Sequence, residues 1–111
     1  MPLTLNGQTI ETNEEGFLLD QTSWNEAVAE KLCAAHSVTP TEAHWEIIHL
    51  LRNYCTSEGN EPPSMRELVT QVKERLSADK AKSIYLMKLF GASPAKMAAR
   101  LAGLPKPKNC L

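Results

Sequence analysis

The strongest constraint on what this chain can fold into is a helix-start signal that occurs three times: Ser23-Trp24-Asn25-Glu26, Thr39-Pro40-Thr41-Glu42 and Ser64-Met65-Arg66-Glu67. In such a box the first hydroxyl accepts from an amide of the opening turn, and the glutamate reaches back to the cap's own amide. Each box is followed by apolar residues at helical spacing. Trp24, Val28, Leu32 and Ala35 predict a helix to about His36. Ile47, Ile48, Leu50, Leu51, Tyr54 and Cys55 predict a central helix to about Ser57. Met65, Leu68, Val69, Val72 and Leu76 predict a third helix to about Leu76. Ser77 or Asp79 then caps a helix over 80–90 that Gly91 ends. Ser93-Pro94 starts a last short helix, stopped by Gly103 with Leu104 placed for a Schellman contact.

Ahead of the helices, Leu3-Thr4-Leu5 and Thr9-Ile10-Glu11 flank Asn6-Gly7-Gln8, a tight hairpin signal, and Gly16-Phe17-Leu18-Leu19 reads as a third short extended piece. A lone hairpin is marginal in water and must pack on something. The expected class is therefore α+β: a mainly helical bundle of about five helices with an N-terminal β-hairpin and a flexible C-terminal arm. The 111 residues suit one domain, divided into a hairpin region 1–20, a helical bundle 23–102 and an arm 103–111. No apolar run approaches the roughly 20 residues of a membrane span. The N-terminus has no secretory signal, so a cytoplasmic protein is expected.

The arm, Gly103-Leu104-Pro105-Lys106-Pro107-Lys108-Asn109-Cys110-Leu111, carries two prolines that fix φ and lack amide hydrogens. It is expected to be stiff, extended and exposed. Cys110 has two readings. It is a frayed terminal residue, or it is a thiol presented to another protein, with Lys106 and Lys108 favouring the thiolate and the terminal carboxylate opposing them. Cys33 points away from its helical stripe and is expected to be partly exposed but incidental. Cys55 lies in the apolar arc of the central helix and is expected to act as a small hydrophobe. No Cys-x-x-Cys, Gly-rich phosphate loop or nucleophile elbow is present. His44 and His49 do not share a helix face, so no metal site and no cofactor are expected, and His44 reads as a packed, hydrogen-bonded residue.

Residues 1–61 hold ten acids and two bases, and residues 62–111 hold three acids and ten bases. This asymmetry is either a basic face for an acidic partner or RNA, or a set of solvated helix faces. The corner at Ser77–Asp79, with Lys80, Lys82 and Lys88 beyond it, also admits a helix-turn-helix DNA-binding regulator.

Gly16-Phe17-Leu18 with Trp24, His44-Trp45-Glu46-Ile47-Ile48, Leu51-Arg52, Pro63-Ser64-Met65-Arg66, Leu89-Phe90 and Ala102-Gly103-Leu104-Pro105-Lys106-Pro107 with penultimate Cys110 resemble the DsrC/TusE family across nearly the whole chain. The resemblance implies a small sulfur carrier that holds persulfide sulfur on Cys110. Family members that partner dissimilatory sulfite reductase carry a second arm cysteine where this chain has Ala99. The match is therefore to the single-cysteine TusE type. That type implies a relay in which a TusBCD-like complex donates sulfur and an MnmA-like tRNA 2-thiouridylase accepts it for wobble-uridine thiolation. Persulfide carriage in dissimilatory sulfur metabolism is the alternative. The expected docking residues are Leu104, Pro105, Lys106, Pro107 and Lys108 with Arg100 and Lys96, although the lysines and Arg100 read equally well as solubilising charges.

Overall fold

The structure is a computed structural model describing residues 2–108. Cys110 and its immediate neighbours lie outside the described residues. The chain begins with an antiparallel hairpin, β1 (Leu3–Leu5) and β2 (Gln8–Ile10), paired Leu3↔Ile10, Thr4↔Thr9 and Leu5↔Gln8. Asn6 and Gly7 both take positive φ, +51° and +77°, the requirement that made Asn-Gly a hairpin signal. The third extended piece is reduced to one bridge, Thr12↔Leu18, because the intervening chain folds into a turn whose amides Glu15 N–H and Phe17 N–H donate to Asn13 Oδ1.

Five α-helices follow: α1 (Glu26–Ala35), α2 (Glu42–Arg52), α3 (Met65–Arg75), α4 (Ser83–Phe90) and α5 (Pro94–Leu101). Ser64 caps α3 as its sequence predicts, accepting from the Glu67 amide. The other two boxes shift register. Ser23 ends a short 3₁₀ turn, and Asn25 caps α1 by accepting from Val28 N–H at 2.9 Å. Thr41, not Thr39, caps α2, and its box partner is His44: the Thr41 amide donates to His44 Nδ1 at 3.0 Å. His44 Nε2 lies 2.8 Å from the Leu89 carbonyl, so this buried imidazole ties the start of α2 to the end of α4. The α2 spiral continues through Ser57 as the expected helix does, but its last stretch, Asn53–Ser57, widens into a π turn. The fourth helix starts later than expected, with Lys82 rather than Ser77 or Asp79 at its cap. Residues Ala78 to Ala81 close a separate turn first.

One apolar cluster holds the fold together, built from Phe17, Leu32, Ile47, Ile48, Leu51, Leu68, Leu86, Leu101 and Leu104 among others. α5 supplies Ala98 and Ala99, and Ala102 follows as its C-cap, all fully buried; α2 and α4 pack on α5, where such small side chains permit close approach. α1 packs against both β1 and α5. Cys33 therefore corrects the expectation of partial exposure. It is completely buried, because α1 is covered on more than the single face that a one-stripe wheel allows.

Candidate functional site

The site is the point where α5 ends and the arm begins. Gly103 sits at φ +70°, its amide donates to the Arg100 carbonyl at 3.1 Å, and Leu104 N–H donates to the Ala99 carbonyl at 3.0 Å. These two bonds make the predicted Schellman ending. Gly103 is required for a second reason: a Cβ there would fall inside the Trp24 indole, 2.8 Å from its Cγ. Trp24 is held in that position. Its Nε1–H donates to the Leu101 carbonyl at 3.0 Å, and the Arg52 guanidinium lies 4.5 Å over its ring. Arg52 Nη1 also donates to the Ala102 carbonyl at 3.2 Å. The last carbonyls of α5 thus have designated donors from the loop before α1 and from the end of α2, and the exit direction of the arm is fixed.

Beyond this root the chain lies on the body. Leu104 is 1% exposed and Pro107 is also buried, which corrects the expectation of an arm exposed along its length. Pro105, Lys106 and Lys108 face solvent. Lys106 Nζ is 3.2 Å from Glu15, which Lys96 Nζ also approaches at 2.8 Å. Lys96 first, then Lys106, hold the Glu15 carboxyl below its ordinary range. Lys108 Nζ is 3.1 Å from Glu61. Pro105, Lys106 and Lys108 line a groove together with Cys55, Glu61 and Pro62.

Arg100 points inward. It is nearly buried, its Nε donates to the Glu15 carbonyl at 2.7 Å, and its guanidinium lies 4.9 Å over Phe17. Together with Lys96 and Lys106 it fastens the 13–16 turn to α5 and the arm. That turn is tight: a Cβ on Gly16, at φ +88°, would meet His36 Nε2 at 2.6 Å. Burial, and secondarily Arg100, push the His36 imidazole below its ordinary value. Of the expected docking set, Pro105, Lys106 and Lys108 are on the surface, whereas Leu104, Pro107 and Arg100 are turned into the body.

The two described thiols are poor nucleophiles. Burial raises Cys33 above the usual thiol range, with Glu30 adding to it. Burial pushes Cys55 up to about 11 against the opposing pull of Arg52. A thiol reacts as its thiolate, so both stay protonated at neutral pH. Cys110, preceded by lysines at 106 and 108, is the remaining cysteine.

Glu15, Glu61, Trp24 and Arg52 build this site, and the sequence reading gave none of them a role at the arm: Trp24 was placed on the stripe of the first helix and Arg52 only within the family resemblance. The charge asymmetry was the available signal for the two glutamates, since acids from the first 61 residues meet bases of the last 50.

The chain matches the family model described as DsrC like protein over residues 4–111. It is 45% identical over 109 residues to the sulfurtransferase TusE homolog of Haemophilus influenzae, covering 98% of this chain and 99% of that one. It is 41% identical to sulfurtransferase TusE of Pectobacterium atrosepticum, with the same coverage. Among solved structures, the NMR structure of Allochromatium vinosum DsrC superposes with a TM-score of 0.89 at 36% identity, covering all of both chains. The crystal structure of the oxidized gamma-subunit of the dissimilatory sulfite reductase (DsrC) from Archaeoglobus fulgidus gives 0.85 at 39% identity, also over both full chains.

Proposed function

Since the chain belongs to the DsrC-like protein family, we propose that it is a sulfur carrier that holds sulfur as a persulfide on Cys110 and hands it from one protein to the next. The observation that carries this reading is the end-to-end match to proteins named sulfurtransferase TusE, in a chain whose other two thiols are buried or half-buried and held protonated. The Cys110 thiolate attacks the outer sulfur of a donor persulfide. A new S–S bond forms on Cys110, the donor's S–S bond breaks, and the donor leaves as a thiolate. An acceptor thiolate then takes the outer sulfur from Cys110 by the same exchange, and Cys110 returns to its thiolate. No electron leaves the system in either step. The body contributes a fixed arm root at Gly103, Trp24 and Arg52, and the partner supplies the rest of the reacting site.

Within this reading the donor is a TusBCD-like complex and the acceptor a tRNA 2-thiouridylase of the MnmA type, in the cytoplasm. Ala99 favours that route over dissimilatory sulfur metabolism. By the family resemblance it stands where the two-cysteine arms carry their second thiol, and here it is a fully buried methyl on α5. Incubation with a cysteine desulfurase, cysteine and the relay proteins is expected to add one sulfur atom to the mass of the protein and none to Cys110→Ser. Sulfur on Cys33 or Cys55 would refute the assignment. A deletion strain is expected to lose 2-thiouridine at the wobble position, and intact thiolation there would exclude the tRNA route.

A further inference from the structure

The outer face of α4 is apolar and uncovered. Ile84 and Met87, neighbours one turn apart, are 67% and 45% exposed, while Leu86 and Phe90 on the opposite side are buried in the core. Leu19 is the only other large hydrophobic side chain so exposed among the described residues. Lys88 follows Ile84 by four residues on the same face, and Lys82 is exposed at the N-cap. Neither lysine joins an ion pair among the described residues, whereas Lys80, Lys96, Lys106 and Lys108 are each held by a glutamate. The opening turn of α4 has no acidic residue and no side-chain cap, so the positive end of the helix adds to Lys82. The face is also held firmly. Glu46 binds Lys80 at 2.7 Å just ahead of it, His44 Nε2 meets the Leu89 carbonyl at 2.8 Å, and α4 packs on α2 and α5. An apolar centre with charge at its rim is the anatomy of a protein interface.

We propose that this face docks the protein that donates sulfur to the chain, meeting an apolar patch rimmed by carboxylates. The proposal rests on the carrier reading. Charge complementarity selects the occupant. Residues 62–111 hold ten bases and three acids, and Lys82 and Lys88 are not neutralised from within as Lys106 and Lys108 are. An acceptor that works on tRNA presents basic surface to RNA phosphates and repels this face, which leaves the donor as the acidic partner. Duplex DNA would set Ile84 and Met87 against phosphates, and two apolar side chains on an eight-residue helix bury little area in a lipid surface. α5 joins the end of α4 to the arm root, and its eight residues span about 12 Å. A donor seated on α4 is therefore about one short helix from the point where the arm leaves the body.

The test measures binding of the full chain to the TusBCD-like donor complex, free of sulfur, by titration calorimetry. Ile84→Ser with Met87→Ser is expected to weaken binding about tenfold or more. Lys82→Gln with Lys88→Gln is expected to weaken it and to flatten its dependence on salt. Arg66→Gln with Lys73→Gln removes the same two charges from exposed side chains of α3 and is expected to bind as the wild type does. All four α4 side chains are exposed, so circular dichroism and urea midpoints are expected to stay near wild type. Wild-type affinity in both α4 variants, equal weakening by the α3 variant, or no binding by the wild-type chain overturns the proposal. So does finding that the α4 variants lose binding to the MnmA-like acceptor, duplex DNA, anionic vesicles or a second copy of this chain rather than to the donor. Sulfur uptake by Cys110 from glutathione persulfide, read by mass, needs no docking. Uptake without donor binding refutes the docking face and leaves the carrier reading standing, and absence of uptake refutes that reading whatever the affinities.

Discussion

Gly103→Ala tests the root of the arm most directly. A non-glycine residue in the left-handed region costs about 1–2 kcal/mol, and Gly103 lies there at φ +70°. The added methyl also occupies the space of the Trp24 indole. The indole cannot move aside freely, since its N–H···O bond to Leu101 and its stack under Arg52 hold it. Breaking that bond strands a part-buried donor and adds about 1–3 kcal/mol. The total expected loss is therefore about 2–5 kcal/mol, a large share of the usual stability of a domain. Gly59→Ala is the internal reference. Gly59 has φ +77° and nothing within 4 Å of its would-be Cβ, so it suffers the backbone penalty alone. Urea denaturation followed by far-UV circular dichroism is expected to rank Gly103→Ala below Gly59→Ala by at least about 1 kcal/mol. In a Trp24→Gly background, which also removes the Trp24 Cβ that lies 2.9 Å from a Cβ at 103, the cost of Gly103→Ala is expected to fall to the Gly59 value. Equal costs at positions 103 and 59, or an unchanged cost without the indole, would refute the clamp.

Two further outcomes follow from the ionisable groups. Glu15 has a lowered folded pKa, so its contribution to stability is complete above the ordinary value of 4.5 and is lost as pH falls through the lower folded value. Urea denaturation is expected to show the stability gap between wild type and Glu15→Gln closing across that acid window, and amine acylation at about pH 8 read by mass spectrometry is expected to show Lys96 and Lys106 more reactive in Glu15→Gln than in wild type. Unchanged labelling of Lys106 in Glu15→Gln would remove Glu15 as an anchor. Thiol alkylation at pH 8 is expected to leave Cys33 unmodified until the protein unfolds. Cys55 should react on the order of a hundredfold more slowly than an ordinary thiol, the ratio of thiolate fractions for values near 11 and 8.5. Fast labelling of Cys55 would contradict its desolvation.

The hairpin, the order of the five helices and the ending of α5 were legible because each rests on local chemistry: positive φ at Asn6-Gly7, Ser64 beside the Glu67 amide, and Gly103 followed by an apolar Leu104. The shifted caps show where local patterns run out. A Ser/Thr-x-x-Glu box is compatible with neighbouring registers, and the choice fell to Asp20, which accepts from Thr22 N–H and organises the 3₁₀ turn that absorbs Ser23. His44 could take the box position usually held by glutamate because its other nitrogen meets Leu89, 45 residues away. The arm was misjudged for the same reason. Two prolines specify an extended backbone, but they do not say that Glu15 and Glu61 will be there to receive it. The family resemblance, carried by Trp24, Arg52 and the Gly-Leu-Pro-Lys-Pro run, picked out the residues of the arm root without saying what each one touches.

Lys106 and Lys108 are already neutralised from within, by Glu15 and Glu61. An acidic surface that engages either lysine competes with an internal carboxylate, less at Lys108, whose pair with Glu61 is largely exposed, than at Lys106, so recognition by these lysines partly replaces one ion pair with another. Dissolved ions screen the internal pair and the intermolecular pair alike. Association through these lysines should therefore vary less steeply with ionic strength than their charge suggests, and the internal glutamates set the threshold that a partner's acids must exceed.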